Sequence, residues 1–170
     1  VKFYYWSYGA YQQFTADNVS ISSEGNTHTV TLTYGESMID TETEMKLKAE
    51  YGSKSFEKTF KVEDPALKLS LKNGDADVWA TKAYVKVEAS AKSRASRTIS
   101  SSTVEIQYKD GEEWKAWPNQ SYDSEKGLFL LTGMGEGATD TNGVAYTLRA
   151  AYKRGGEAVT YSGELPITTE

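Results

Sequence analysis

Aromatic side chains are concentrated at the beginning of the chain, where Tyr4, Trp6 and Tyr8 occupy alternate positions and Tyr11 follows closely. Alternate residues of a β-strand point to the same side, so the first three are predicted to share an outer face, with Tyr11 nearby. Aromatic rings anchor protein partners or stack on sugar rings, because they bury a large area at low entropic cost. Three interpretations stay open: a protein contact, a glycan contact, or packing against a neighbouring domain, subunit or loop.

Acidic residues cluster in segments that are predicted to be loops, and carboxylate oxygens are ligands that calcium prefers. The clusters are Asp75 with Asp77, Asp40 with Glu42 and Glu44, and Asp110 with Glu112 and Glu113. None of them has the spacing of an EF-hand loop. Asp75-Ala76-Asp77 is the best candidate among them, but we expect solvated loop charge rather than a metal site.

The residue types that catalysis most often needs are scarce. The sequence has no cysteine and a single histidine, His28, which excludes cysteine nucleophiles and thiolate ligands and leaves little for a histidine-based triad. It contains no glycine-rich phosphate loop, nucleophile elbow or zinc-binding helix motif. We therefore predict a protein that is not an enzyme and has no cofactor and no metal, with His28 on a surface strand.

Charge and hydropathy argue against two further classes of function. The formal net charge is -5, and the lysines and acidic residues are interspersed without a basic block. A nucleic-acid partner is therefore not expected, because such binding draws on clustered positive charge. No apolar run approaches the roughly 18 residues that a membrane-spanning helix needs, so no membrane span is expected.

The elements that would position these residues are β-strands. Between residues 67 and 72, leucines alternate with lysine and serine, which puts one face in a core and the other in water. Turn pairs such as Asp110-Gly111 and Asn142-Gly143 separate strand-like runs at roughly ten-residue spacing, which is typical of a sandwich or barrel. Asp64-Pro65 marks a domain boundary, because proline cannot donate to a strand ladder. Residues 1–64 and 65–170 are thus predicted to be separate domains.

The strand order of the second domain resembles that of a fibronectin type III domain. The motifs that carry the resemblance are the runs VEIQYKDGEEW, LFLLTGM and AYTLRAAYKRGG…TYSG. The resemblance implies an immunoglobulin-like β-sandwich with a tyrosine corner at Tyr146. The tryptophan that this family carries in its second strand has no clear match, because Trp79 lies before the predicted strand. The predicted strands are Ala66–Lys72, Ala83–Ala91, Thr103–Lys109, Glu113–Trp117, Gly127–Thr132, Ala145–Lys153 and Ala158–Ile167.

The connection between the second and third of these strands, Ser90–Ser102, is rich in serine and contains three basic residues. Two interpretations are open for it. It is either a mobile loop that contacts an anion or simply a flexible connection, and we expect the second.

An internal repeat relates the two domains. VKFYYWSYGAYQQFT aligns with VEIQYKDGEEWKAWP, TVTLTYG with LFLLTGM, and EMKLKAEYG with AYTLRAAYK. Phe14 falls on Trp117, which predicts that both are core residues, whereas Trp114 is expected on the opposite side of its strand. Met45 falls on Tyr146, so the first domain is expected to lack the tyrosine corner.

The repeat also places Val1 at the third strand of the sandwich, strand C. The first domain is therefore predicted to lack strands A and B, which would leave a core face uncovered and a sheet edge open. Three explanations stay open. The chain is a fragment of a longer protein, another subunit donates the missing strands, or the first domain is a smaller and complete β fold.

Together these features predict an all-β protein of two tandem immunoglobulin/fibronectin type III-like sandwiches, of the kind found in bacterial secreted or surface proteins. The predicted function is that of an extracellular or cell-surface adhesion module and spacer within a larger protein, with Tyr4, Trp6, Tyr8 and Tyr11 as the contact surface. The alternatives are a carbohydrate-binding module of a surface glycan-uptake system and a phage virion decoration or fibre protein. The expected partners are a protein or a glycan at the aromatic residues, and a strand-donating subunit if strands are missing.

Overall fold

The computed structural model of the chain describes residues 1–35, 38, 44–90, 95–97, 99–139 and 142–170, without the side chain of Asp75. Two compact units are present, Val1–Glu63 with Ser93–Thr98, and Asp64–Lys92 with Ile99–Glu170. In the described ranges, no helix is long and apolar enough to span a membrane.

Antiparallel strands make up both units. Those of the first unit are β1 (Lys2–Ser7), β2 (Ala10–Gln13), β3 (Val19–Glu24), β4 (Thr27–Leu32), β5 (Glu44–Tyr51) and β6 (Lys54–Lys61). Those of the second unit are β7 (Ala66–Ser70), β8 (Lys82–Ser90), β9 (Val104–Asp110), β10 (Glu113–Ala116), β11 (Gln120–Asp123), β12 (Leu128–Thr132), β13 (Ala145–Arg154), β14 (Glu157–Tyr161) and β15 (Leu165–Thr168).

Two sheets enclose the core of the second unit. One has the order β10-β9-β13-β14 with β15 also paired to β13, and the other has the order β11-β12-β8-β7. Alternate residues of both sheets point inward, so that Ile106, Leu131 and Leu148 are fully buried between them. This arrangement is an immunoglobulin-like β-sandwich, and the predicted all-β fold class is confirmed.

The first unit repeats part of this arrangement. Its larger sheet has the order β2-β1-β5-β6, which matches β10-β9-β13-β14, and β3 pairs with β4 as β11 pairs with β12. Phe14, Met45 and Val62 form its buried core, with Phe3 and Leu47 packed against them. Among the described residues of this unit, no strand corresponds to β7 or β8.

The end of the second unit differs from its sequence prediction. Ala158–Ile167 is not a single strand, because β14 and β15 pair separately with β13. Ser162 interrupts the run, since the N–H of Ala150 donates to its hydroxyl at 2.8 Å. Strand β11 was not predicted, because its polar sequence QSYD lacks apolar alternation. The other predicted strands lie within two residues of the observed ones.

The tyrosine corner is present in the second unit. The N–H of Gly135 donates to the hydroxyl of Tyr146 at 2.7 Å, and the Tyr146 ring lies 5.1 Å from that of Trp117. Trp117 is the core tryptophan, and its indole N–H donates to the carbonyl of Thr132 at 2.9 Å. Trp79, in contrast, is 41% exposed and precedes β8, so this core differs from the family pattern.

The described part of the Ser90–Ser102 connection is not a free loop. Residues 95–97 belong to the first unit, where Ser96 forms a parallel bridge with Glu63. The N–H of Glu63 donates to the carbonyl of Ala95 at 3.0 Å, and the Tyr34 hydroxyl donates to the carbonyl of Ser96 at 3.1 Å. Residues 95–97 of this connection are therefore paired with the first unit through main-chain hydrogen bonds.

Candidate interaction surface

The hairpin of β1 and β2 and the neighbouring strand β5 position most of the predicted aromatic residues. Tyr4 lies opposite Lys48 on β5, and Trp6 lies opposite Tyr11 on β2. Side chains of one strand alternate between two sides, so Tyr4, Trp6, Tyr11, Lys46 and Lys48 share the outer side of the sheet. These five residues are called the aromatic face below.

Tyr8 lies apart from the other three aromatic residues that the sequence singled out. It follows the end of β1 and forms, with Gly9, the two-residue turn between β1 and β2. Both residues have positive φ, 51° for Tyr8 and 77° for Gly9, as the commonest tight hairpin turn requires. Tyr8 is 91% exposed at the tip of the hairpin, outside the ladder that holds the aromatic face.

Lysine side chains cover the rings of the aromatic face. The ammonium nitrogen of Lys48 lies 4.7 Å from the centre of the Tyr4 ring and 4.5 Å from that of Tyr11. The ammonium nitrogen of Lys46 lies 5.9 Å from the Trp6 ring. Such distances allow attraction between the cation and the negative face of the ring. The rings of Trp6 and Tyr11 also meet edge to face, with their centres 5.0 Å apart.

Carboxylates complete the electrostatics of this surface. Lys48 and Glu50 form an ion pair of 2.8 Å. Hydrogen bonds from Lys48 and then Tyr4 lower the pKa of Glu50, and the bond with Glu50 raises the pKa of Tyr4. Burial, followed by a hydrogen bond with Glu57, raises the pKa of Tyr11. Lysine, tyrosine and carboxylate therefore form one connected polar network around the rings.

Two residues of the predicted acidic clusters, Asp77 and Asp110, bond to other groups of the protein. Asp77 is buried and accepts a hydrogen bond from the N–H of Asn73 at 2.7 Å, which closes the turn before β8. Asp110 pairs with Lys115 at 2.6 Å. The side chain of Asp75 and all of Asp40 and Glu42 lie outside the described residues. Elsewhere, no group of three or more His, Cys, Asp and Glu residues among those described could hold a metal ion.

The single histidine lies on an exposed strand, as the sequence predicts. His28 belongs to β4, and its Nδ1 is 2.8 Å from the hydroxyl of Ser23 on β3. This contact links two neighbouring surface side chains across a hairpin.

A second cation, which the sequence did not predict, lies between aromatic rings. In the second unit, the guanidinium of Arg149 lies 4.2 Å from the Trp114 ring and 3.8 Å from the Tyr161 ring. The Nε of Arg149 also donates to the side-chain oxygen of Gln107 at 2.8 Å. Arg149 lies opposite Gln107 in the strand ladder, just as Lys48 lies opposite Tyr4. The internal repeat, which aligns Lys48 with Arg149, is therefore a signal that could have identified the second cation.

Comparison with known proteins gives fold-level likenesses. No protein-family model and no curated protein sequence matches the chain. The crystal structure of titin domains A168–A170 is 10% identical, with a TM-score of 0.46; the match covers 99% of this chain and 55% of that one. The titin tandem A164–A165 is 10% identical, with a TM-score of 0.32 and coverage of 99% and 80%. A titin A168–A169 structure is 12% identical, with a TM-score of 0.36 and coverage of 99% and 82%.

The strand order, the two-sheet packing and the tyrosine corner of the chain itself define its fold. The chain is a tandem of two immunoglobulin-like units, each built on the same four-stranded sheet order.

Proposed function

We propose that this chain is a non-enzymatic interaction module that binds a protein partner through the aromatic face of the first unit. The observation that carries the proposal is the position of Lys48, whose ammonium group lies against the rings of both Tyr4 and Tyr11. A sugar ring stacks on an open aromatic face, and these two faces are already in contact with a cation. The same side chains suit a protein surface, where tyrosine, tryptophan and a charged rim combine in binding hot spots.

The composition of the aromatic face also indicates what a partner would present. Trp6 supplies a large, partly exposed apolar area, with Lys46 over its ring and Lys48 over the ring of the adjacent Tyr11. A complementary surface would place an apolar side chain against Trp6 and carboxylates near the two ammonium groups. A glycan is the second candidate, because the ammonium group of Lys46 lies farther from the Trp6 ring than that of Lys48 lies from the two tyrosine rings.

The proposed setting is an adhesion module in an extracellular or cell-surface protein. The sandwich architecture, which many cell-surface domains share, supports this proposal. Protease treatment of intact cells, followed by detection of the chain with antibodies, tests the location. Cleavage in intact cells supports it, and protection until the cells are lysed contradicts it.

Binding to extracellular extracts and to a glycan array tests the choice of partner. Trp6→Ala is expected to lower the affinity for a protein partner by about tenfold or more, as for other central aromatic anchors. Lys109→Ala provides the matched control, because Lys109 occupies the position of Trp6 in the second unit. A sugar signal that Trp6→Ala abolishes would replace the protein partner with a glycan. Partner binding that is unaffected by Trp6→Ala would exclude the aromatic face.

A further inference from the structure

Two apolar side chains of the first unit that point toward its core, Val30 and Phe60, are exposed, whereas their counterparts in the second unit are buried. Val30 on β4 is 37% exposed, and Phe129 at the same position of β12 is 6% exposed. Phe60, opposite Met45, is 38% exposed, and Ile167, opposite Tyr146, is 5% exposed. The difference does not come from residue type, because all four side chains are large and apolar.

These side chains line a cavity beside an open strand edge. The cavity has a volume of about 250 Å³ and is lined by Val30, Leu32, Tyr34, Met45, Leu47, Phe60 and Ala95. In the part of the chain that the structure describes, β4 pairs with β3 only, whereas β12 pairs with β11 on one side and β8 on the other. A two-stranded hairpin is marginally stable alone, so the free edge of β4 favours pairing with a third strand.

The second unit shows what covers this position. There, β8 lies antiparallel to β12, with Val85 opposite Phe129 and Ala83 opposite Leu131. Val30 and Leu32 occupy the positions of Phe129 and Leu131. We propose that the first unit carries an acceptor site for an extended polypeptide strand that lies antiparallel to β4. The strand would place a β-branched side chain opposite Val30 and a small apolar one opposite Leu32.

Charge on the inner side of the first unit specifies the strand further. Lys54 lies opposite Tyr51 and Lys58 lies opposite Leu47, so both lysines are on the side of the sheet that holds the core. In the second unit, Val87 and Ala89 of β8 border a cavity together with Val104, the partner of Tyr152. Tyr51 occupies the position of Tyr152. The carboxyl-terminal end of the bound strand would therefore lie near Lys54, where an acidic side chain is favoured.

One end of the site already accepts an extended segment. Residues 95–97 pair with Glu63 through two backbone hydrogen bonds of 3.0 Å, and Ala95 forms part of the cavity wall. These residues pair with Glu63, which follows β6, so the edge of β4 is a separate place for main-chain pairing beside the same cavity. The site is independent of the proposed function, because the aromatic face is on the outer side of the sheet β2-β1-β5-β6, whereas the cavity is on its inner side and β4 belongs to the other sheet.

Peptides based on β8 provide the test with the full chain. The probe is the nine-residue Lys82–Ser90 sequence, KAYVKVEAS, and the control is a peptide of the same composition without the apolar alternation. We expect the probe to bind and to slow amide hydrogen exchange in Thr27–Leu32, and we expect the control to do neither. A probe with Ala89→Glu should bind about two- to fivefold more tightly at low salt, and one with Ala89→Lys more weakly, as for an exposed ion pair.

Two matched variants of β4 locate the site. Val30→Lys puts a charge on the inner side and should raise the dissociation constant of the probe at least tenfold. Thr31→Lys puts the same charge on the outer side of the same strand and should leave binding unchanged. The proposal is overturned if the probe leaves exchange in Thr27–Leu32 unchanged. It is also overturned if the chain self-associates through this edge, seen as a dimer that Val30→Lys dissociates.

Discussion

The two units share one sheet order but differ in how completely their interiors are covered. In the second unit, β8 and β7 complete a second sheet, and a continuous cluster that includes Ile106, Leu131 and Leu148 is buried. In the first unit, a two-stranded hairpin lies over the same four-stranded sheet, and the buried cluster is reduced to Phe14, Met45 and Val62. Inward-pointing side chains are therefore buried only where the second sheet is wide enough to lie over them.

The outer surfaces of the two units are more alike than their interiors. Lys48 and Arg149 occupy the same position on β5 and β13. Each lies against an aromatic ring of the edge strand two strands away, Tyr11 on β2 or Trp114 on β10. The guanidinium lies closer to its two rings than the ammonium does, because a planar group stacks flat on an aromatic face. A cation between rings is therefore a property of the shared sheet, independent of the strands that cover the other side.

The units are expected to differ most in the free energy of unfolding that each loses when its central aromatic residue, Trp117 or Phe14, is replaced by alanine. Trp117→Ala should lower the free energy of unfolding of the second unit by about 3–5 kcal/mol, because it creates a cavity and removes the hydrogen bond to Thr132. Phe14→Ala in the first unit should cost about 3 kcal/mol or less, because the neighbouring open cavity lets the site relax. Hydrogen exchange followed by mass spectrometry measures the two units separately.

Trp79→Ala is the control for this pair, since Trp79 is largely outside the core and its loss should be small. A larger cost for Phe14→Ala than for Trp117→Ala would show that the interior of the first unit is as tightly enclosed as that of the second. That result would also remove the physical basis of the strand acceptor site.

A smaller difference in stability loss is expected between substitutions of Tyr146 at the tyrosine corner and of Met45 at the same position in the first unit. Tyr146→Phe leaves the N–H of Gly135 without its acceptor and should cost about 1–2 kcal/mol. Met45 occupies the same position in the first unit, and Met45→Leu exchanges residues of similar volume at a cost of about 1 kcal/mol or less. Denaturant midpoints of the two variants, with the exposed Tyr122→Phe as control, provide the measurement. Equal costs would mean that the corner adds nothing beyond packing.

Double-mutant cycles compare the two cation sites. The coupling between Arg149 and Trp114 should be about 1 kcal/mol, because the guanidinium is stacked on two rings and held by Gln107. The coupling between Lys48 and Tyr11 should be smaller, since an exposed ammonium group keeps much of its hydration. A larger coupling for Lys48 would contradict the proposed advantage of the flat guanidinium.

Much of this architecture is predictable from the sequence where packing follows residue type. Apolar alternation identifies β8, β9 and β13, since one side of each strand is buried. The internal repeat predicts the shared sheet order and the core positions of Phe14 and Trp117. It also places Tyr4 and Trp6 together on the outer side, because the register of a strand decides which of its alternate residues face the core.

Other features depend on contacts between segments distant in sequence and could not be predicted from local pattern. The polar strand β11 forms only because β12 offers it an edge. Tyr8 continues the alternation of β1, yet the chain turns at that residue, and a tyrosine with positive φ is not what turn statistics favour. The pairing of Ser96 with Glu63 joins residues more than 30 positions apart, which no local periodicity reveals.

The smallest predicted effect is on the pH dependence of stability, which depends on one carboxylate in each unit, Glu50 and Glu88. Hydrogen bonds lower the pKa of Glu50, mainly from Lys48 and then from Tyr4, and a hydrogen bond from Lys86 lowers the pKa of Glu88. A carboxyl group whose pKa is lower in the folded state stabilises the fold above its ordinary value, here 4.5, and loses that contribution as the pH falls through the lowered value. The first unit should therefore lose a small part of its stability below pH 4.5.

Carboxyl NMR titration of Lys48→Met separates the two causes at Glu50. If Lys48 is the main one, the pKa of Glu50 rises toward 4.5 but stays below it, because Tyr4 still donates its hydrogen bond. The pKa of Glu88 in the second unit should not change, since its partner is Lys86. An unchanged pKa for Glu50 would mean that Tyr4, rather than the cation, organises the network. The cation between rings would then be a consequence of the aromatic residues and not of the shared sheet.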